Sequence, residues 1–150
     1  MQSSPSLRSF VATGDSIAPT FLRLALGIMM FPHGAQKLLG WFGGYGFNGT
    51  MGYFTGTVGT PWVIGFLVIL GEFFGALMLI VGLGTRFAAG SLVVIMTGAA
   101  WQLRANGFFM NWFGNQKGEG VELFLLAIGI AVSLVILGGG KWSLDRALKR

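Results

Sequence analysis

The few charged side chains of this chain sit inside its hydrophobic runs, and that placement restricts the fold more than any other feature. Four apolar segments carry Arg23, His33, Lys37, Glu72 and Glu122 within them or just inside one end. Each approaches the roughly 20 residues needed to cross a bilayer as a helix. A charge at the bilayer centre costs roughly 2.5–3.5 kcal/mol even on the lenient insertion scale. Such residues therefore face the interior of a helix bundle, pair with one another, and mark where function is to be sought.

Composition agrees with a membrane chain. Of 150 residues 53% are hydrophobic and only 10% are charged, against about 25% charged in ordinary soluble domains. The mean hydropathy is +0.71. The length suits one compact bundle and leaves no room for a second soluble domain. The absence of cysteine removes disulfides, a CxxC redox pair, a thiolate nucleophile and cysteine-ligated metal clusters. With a single histidine, no protein-only histidine metal site is expected, so the metal expectation is none. The net charge of +5 is not arranged as a basic stripe along a polar surface, and nucleic acid is not an expected partner. No cleavable signal peptide is expected, because the first apolar run starts near Ile17, is too long and contains Arg23.

The expected fold is all-α: a four-helix transmembrane bundle with a flexible cytoplasmic tail over 1–15, a membrane domain over 16–140 and a basic cytoplasmic tail over 141–150. The first span runs from Ile17 to Leu39. Pro32 inside it frees the carbonyl of Ile28, which predicts a kink just before His33 and Gly34; the kink serves either packing or function. From Gly40 to Thr60 the chain is uncharged and rich in Gly and aromatics, as suits a loop at headgroup level with a short helix after Asn48. Thr60 and Pro61 read as an N-cap followed by Pro at N1. The second span, Trp62–Leu83, holds Glu72 between Gly71 and Gly75, whose spacing allows close helix approach. A turn at Gly84-Thr85-Arg86 leads to a third span, Phe87–Leu103, and a fourth runs from Gly120 to Leu137. Arg8, Arg86 and the C-terminal Lys141, Arg146, Lys149 and Arg150 fall on one side. The positive-inside rule then places both termini in the cytoplasm, in agreement with an even number of spans.

At about 100° per residue, Arg23 and Lys37 lie within about 40° of each other on the first helix, as do His33 and Lys37, so the three share one face. Glu72 lies near the midplane, Glu122 opens the fourth helix beside Glu119, and Arg104 closes the third. Pairing by depth sets Arg23 with Glu72, and Lys37 or Arg104 with Glu122, because an unpaired buried charge costs far more than a paired one. On one reading such pairs serve only to fix which helices meet and in what register. Alternatively His33, Gln36, Lys37, Trp101, Gln102 and the glutamates line a polar pocket open to the outer side, with His33, Lys37, Glu72 and Glu122 as candidate catalytic groups. The case for His33 as a proton carrier rests on its titration range and its acidic company.

Several short motifs, in order along the chain, resemble the DoxX family. They are Arg23-Leu-Ala-Leu-Gly27, Phe31-Pro-His33-Gly34 with Gln36-Lys37-Leu38, Gly71-Glu72-Phe-Phe-Gly75, Gly82-Leu-Gly84-Thr-Arg86 and Gly118-Glu-Gly-Val-Glu122. The resemblance implies a four-helix protein of prokaryotic cytoplasmic membranes, often named as an oxidoreductase or as a subunit of a membrane redox complex. Relatives of the DoxD type are associated with thiosulfate oxidation coupled to quinone, and others with oxidative-stress enzymes. Carried over by position, the polar residues of the family fall on Arg23, His33, Lys37, Glu72 and Glu122.

Three functions follow as expectations. The first is an integral membrane subunit of a redox system linked to quinone or to oxidative-stress or sulfur-compound chemistry, with quinone as its cofactor and no electron carrier encoded in the chain. The second is a non-enzymatic anchor or assembly module for a redox-enzyme partner protein. The third is a small-solute transporter, against which the chain's size argues, since inverted repeats would require a dimer. The lipid bilayer is the expected surrounding in each case, and a homo-oligomer is compatible with all.

Overall fold

A computed structural model describes residues 12–149. Residues 1–11 of the expected flexible tail lie outside the described residues. Among the described residues there is no strand. Six α-helices follow one another: α1 (Ala18–Leu39), α2 (Gly46–Gly52), α3 (Trp62–Val81), α4 (Thr85–Leu103), α5 (Glu122–Leu137) and α6 (Leu144–Lys149). Single 3-10 turns stand at Trp41–Gly43 and Arg104–Asn106, and a π-helical turn runs over Tyr53–Val58.

The four long helices form a ring in which α1 meets α3 and α5, while α4 meets the same two helices. Only Gly82, Leu83 and Gly84 separate α3 from α4, so the two are antiparallel neighbours. That short turn lies at one end of the bundle with both ends of the described chain, Ala12 and Lys149. The longer connections, 40–61 and 104–121, lie at the other end and are called the loop end below. The centre is packed with small and medium side chains: Leu26, Met30, Ala76, Leu79, Ala88, Ala89, Leu92, Ala127, Ala131 and Leu134 are all almost fully buried.

Glycine sets the register of α1 against α3. A Cβ placed on Gly34 would lie 2.6 Å from the Cα of Phe73, and one on Gly27 would lie 2.9 Å from the side chain of Ile80. These two bare positions, seven residues apart and so on one face of α1, let the backbones approach closely. The same pairing carries Lys37 to the turn of α3 that holds Glu72 and sends Arg23 past the C-terminal end of α3.

Helix α1 continues through Pro32 to Leu39, where Gly40 ends it at φ 74° in the left-handed region. At the start of α3 the N-cap is Pro61 and not Thr60, and no side chain caps it. The fourth long helix begins at Glu122 rather than Gly120. Gly120 is still in the loop, packed so tightly on the carbonyls of Phe108 and Phe109 that a Cβ has no room there. Among the described residues one helix, α3, qualifies as a membrane span by length and hydropathy together, with a mean hydropathy of 2.5; α5 is apolar but has 16 residues. Helices α1 and α4 are long enough, but Arg23, His33, Gln36 and Lys37 interrupt the one, and Arg86, Ser91, Thr97 and Gln102 the other.

Candidate functional site

The two ends of the bundle treat their polar residues differently. At the terminus end, Arg23 is 2% exposed, and its guanidinium is engaged by backbone carbonyls. Nη1 donates to Leu79 O at 2.9 Å and Ile80 O at 2.5 Å, Nε donates to Gly139 O at 2.9 Å, and Nη2 donates to Trp142 O. Leu79 and Ile80 belong to the last turn of α3, whose final carbonyls have no partner within the helix. A cation there satisfies them and complements the negative end of the helix dipole. The expected pairing of Arg23 with Glu72 is therefore corrected. The register set by Gly27 and Gly34 places Arg23 at the end of α3, about 10 Å along the axis from Glu72 at about 1.5 Å per residue.

The C-terminal segment completes this end. Asp145 is 1% exposed; its Oδ1 accepts from Gly84 N at 2.6 Å and its Oδ2 from Thr85 N at 2.9 Å. Two orphan amides at the start of α4 are thus capped by a carboxylate 60 residues further along the chain, a substitute for a local N-cap. Asp145 N donates in turn to Gly82 O at 2.9 Å. The segment expected as a basic tail is folded here as α6, and its charges face the described end of the N-terminal stretch. Arg146 Nη1 lies 2.5 Å from Asp15 Oδ1, and Lys149 Nζ donates to Thr13 O at 3.2 Å. Arg86 donates to Ala12 O at 3.0 Å and to Val135 O at 2.6 Å.

At the loop end a cavity of about 480 Å³ lies between α1, α3, α4 and α5. Its wall is mostly apolar, built from residues such as Met29, Met30, Val68, Ile95, Leu123 and Phe124, with polar groups supplied by His33, Lys37, Thr60, Glu72, Gln102 and Glu119. Lys37 Nζ stands 2.5 Å from Glu72 Oε2. The two ends of this ion pair differ in environment: the Glu72 side chain is 5% exposed and that of Lys37 28%. The long lysine stem reaches from the last turn of α1 down to a carboxylate held inside the bundle. Among the described residues Glu72 Oε1 accepts no hydrogen bond, and neither nitrogen of His33 makes one.

Of the residues expected at a site, the cavity brings together His33, Lys37, Glu72, Gln102 and Glu119. Gln36 falls instead in a second cavity of about 500 Å³ under the first loop, shared with Lys37, Tyr45, Thr50, Tyr53 and Phe54. Lys37 and Phe54 line both cavities.

The expected partnership of Glu122 with Lys37 or Arg104 is also corrected. Glu122 Oε2 accepts from Met110 N at 3.1 Å, and Glu119 Oε2 accepts from Asn111 N at 2.8 Å, so both carboxylates hold the second loop against the start of α5. Arg104 folds back on its own helix end. It donates to Trp101 O and lies over the Trp101 ring, 4.0 Å from the centroid, where a cation meets the negative face of the indole. Trp101 is exposed. Arg23, Trp101, Arg104 and Glu122 thus stand outside the cavity. Asp145 is the polar residue that the sequence reading missed. A carboxylate beside Lys141, Arg146, Lys149 and Arg150 reads as one more tail charge, and only its position two residues after Ser143, in a stretch with Trp142 and Leu144, hints at burial.

The arrangement defines an all-helical bundle with one buried ion pair at the wall of an apolar cavity. The DoxX family profile matches residues 18–105, more than half of the chain, and the protein belongs to the DoxX family, whose members are membrane proteins. Comparison with curated proteins and with solved structures gives no match.

Proposed function

We propose that the protein is a four-span integral protein of a prokaryotic cytoplasmic membrane, with both termini in the cytoplasm, and that its loop-end cavity binds a quinone as part of a membrane redox system. The topology is supported by the basic side chains gathered at the terminus end, Arg23, Arg86, Arg146 and Lys149, against Arg104 and Lys117 at the loop end.

The observation that carries the ligand reading is the joining of an apolar cavity of about 480 Å³ to His33 and the Lys37–Glu72 pair. Ligand pockets combine mostly apolar walls with a few convergent polar groups in this range of volume. The residues fit a quinone. Lys37 carries three donors, of which Glu72 takes one, and neutral His33 has a donor and an acceptor. Either residue can hydrogen-bond a quinone carbonyl, while apolar walls from α3, α4 and α5 accept the ring and the start of its tail. Glu72, whose Oε1 remains available, is the group placed to hold or release a proton within hydrogen-bond reach. A bound quinone would supply the two-electron chemistry, with electrons arriving from a second substrate or a partner protein.

The test is native mass spectrometry of gently extracted protein together with organic extraction to identify bound quinone. Wild-type protein is expected to retain quinone, and the double variant Lys37→Met with Glu72→Gln, in which neither charge is stranded, is expected to fold but lose it. Wild-type protein that retains a redox-enzyme partner and no quinone would replace this reading with that of an assembly module.

A further inference from the structure

We propose that the cavity opens sideways into the hydrocarbon between α3 and α4, and that its ligand comes from the bilayer with its polar head at the Lys37–Glu72 pair and its tail left between the two helices. This deepens the reading of the cavity as a ligand site and rests on it. The two helices are closely packed over the half nearer the terminus end. A Cβ on Gly71 would lie 2.7 Å from Ile95 Cδ1, and one on Gly75 would lie 3.9 Å from Leu92. One turn further toward the loop end that close approach is absent at Gly98. A Cβ on Gly98 of α4 would meet nothing within 4 Å, and Gly98 is itself exposed while lining the cavity.

Side chains that face the outside and the cavity at once form its rim. Val94 of α4 is 72% exposed and Ile64 of α3 is 52% exposed, and both also line the cavity. The rim formed by Ile64, Val94 and Gly98 is entirely apolar. An apolar opening on the side of a membrane helix bundle is wetted by lipid tails, so what passes it is soluble in lipid. The polar wall lies deeper, where Glu72 is 4% exposed overall. The ligand class that satisfies both ends is an amphipathic lipid with a hydrogen-bonding head and a long apolar tail. A cavity sized for a head and the first part of a tail is sufficient, because the rest remains between α3 and α4 in the bilayer.

The experiment uses the full chain in phosphatidylcholine vesicles containing a phospholipid with a diazirine in its acyl chain. After irradiation, labelled residues are mapped by peptide mass spectrometry. The wild-type protein is expected to be labelled inside the cavity, at Ile95 or Met96, as well as on its outer face. Gly98→Trp, which fills the rim, is expected to reduce the inner labelling several-fold while leaving labelling of outer residues such as Phe74 and Ile136 unchanged. Gly98→Ala is expected to behave as wild type. Should Gly98→Trp fail to fold, Val94→Trp, one turn away on the same face, carries the same test. Labelling confined to the outer face, or inner labelling untouched by the filled rim, would overturn the proposal. Quinone retention, measured separately, decides the other reading: inner labelling without retained quinone leaves the lateral opening in place and removes quinone as its ligand.

Discussion

Removing Lys37 should harm the protein more than removing Glu72, although the two form one ion pair. Breaking a buried pair from one side costs about 3–5 kcal/mol when the remaining charge is stranded in low dielectric. Glu72 cannot escape: its side chain is 5% exposed, and α3 holds it against the close contact of Gly34 with Phe73. Lys37 is 28% exposed at the end of α1, and its long stem can swing the ammonium toward the loops. Lys37→Met is therefore expected to cost about 3 kcal/mol, the lower end of that range because a carboxylate can take up a proton instead. Glu72→Gln should cost about 1 kcal/mol, the order of one lost hydrogen bond. In detergent this difference reads as a fall in melting temperature of about 6–12 °C for Lys37→Met at roughly 2–4 °C per kcal/mol, and about 2–4 °C for Glu72→Gln. The double variant should lie close to Glu72→Gln, giving a coupling of about 3 kcal/mol in a double-mutant cycle. Additivity within about 0.5 kcal/mol would refute the pair. The same cycle run on Arg23→Gln with Glu72→Gln should be additive, because Arg23 is engaged by carbonyls at the end of α3 and not by Glu72.

Asp145→Ala should destabilise the protein by about 1–2 kcal/mol, the upper part of the range for a lost N-cap, whereas Lys149→Ala, whose contact is exposed, should leave the melting temperature unchanged within error; equal effects would show that Asp145 is not the cap of α4. Reporter fusions at Gly49 and after Arg150 should report opposite sides of the membrane, and fusions reporting the same side would contradict a four-span topology.

The helices were largely legible in the sequence because apolar runs, Pro and Gly mark their ends: α1, α3 and α4 begin and end within two residues of the expected bounds. The ion pairs were not, because pairing depends on register, and depth along a hydrophobic run does not show which helix faces allow contact. Gly27 and Gly34 carried the needed signal. Two small residues seven apart on the face opposed to α3 fix which turn meets which, and once Gly34 is set against Phe73, Lys37 one turn further along α1 meets Glu72. The GxxxG of Gly71 and Gly75 pointed to a different contact, that of α3 with α4 through Ile95 and Leu92. The role of Asp145 was hidden for another reason. An N-cap is sought within the residues that precede a helix, and here the chain supplies it from its far end, across the turn Gly82–Gly84 that it closes.

Buried charge alone does not single out a site in this protein; an ion pair with unspent hydrogen-bonding capacity at a cavity does. Arg23 is the most buried cation among the described residues, yet four carbonyls engage its guanidinium, and Asp145, equally buried, spends both oxygens on amides of the α3–α4 turn. Glu119 and Glu122 each hold one loop amide. These groups pair backbone donors and acceptors at helix ends and loops that helical hydrogen bonding leaves without partners. The Lys37–Glu72 pair differs. It satisfies one oxygen and one N–H, and leaves Glu72 Oε1, two N–H donors of Lys37 and the imidazole of His33 without hydrogen bonds at a mostly apolar cavity that Thr60, Gln102 and Glu119 also line. A pair needed only to lock α1 to α3 would be expected to be closed on every side, as Arg23 is. Groups left with donors and acceptors at the wall of a cavity are open to hydrogen bonding by water or a ligand. That residual capacity is the reason to seek the ligand at His33, Lys37 and Glu72 and not at Arg23, although sequence position and charge alone rank them together.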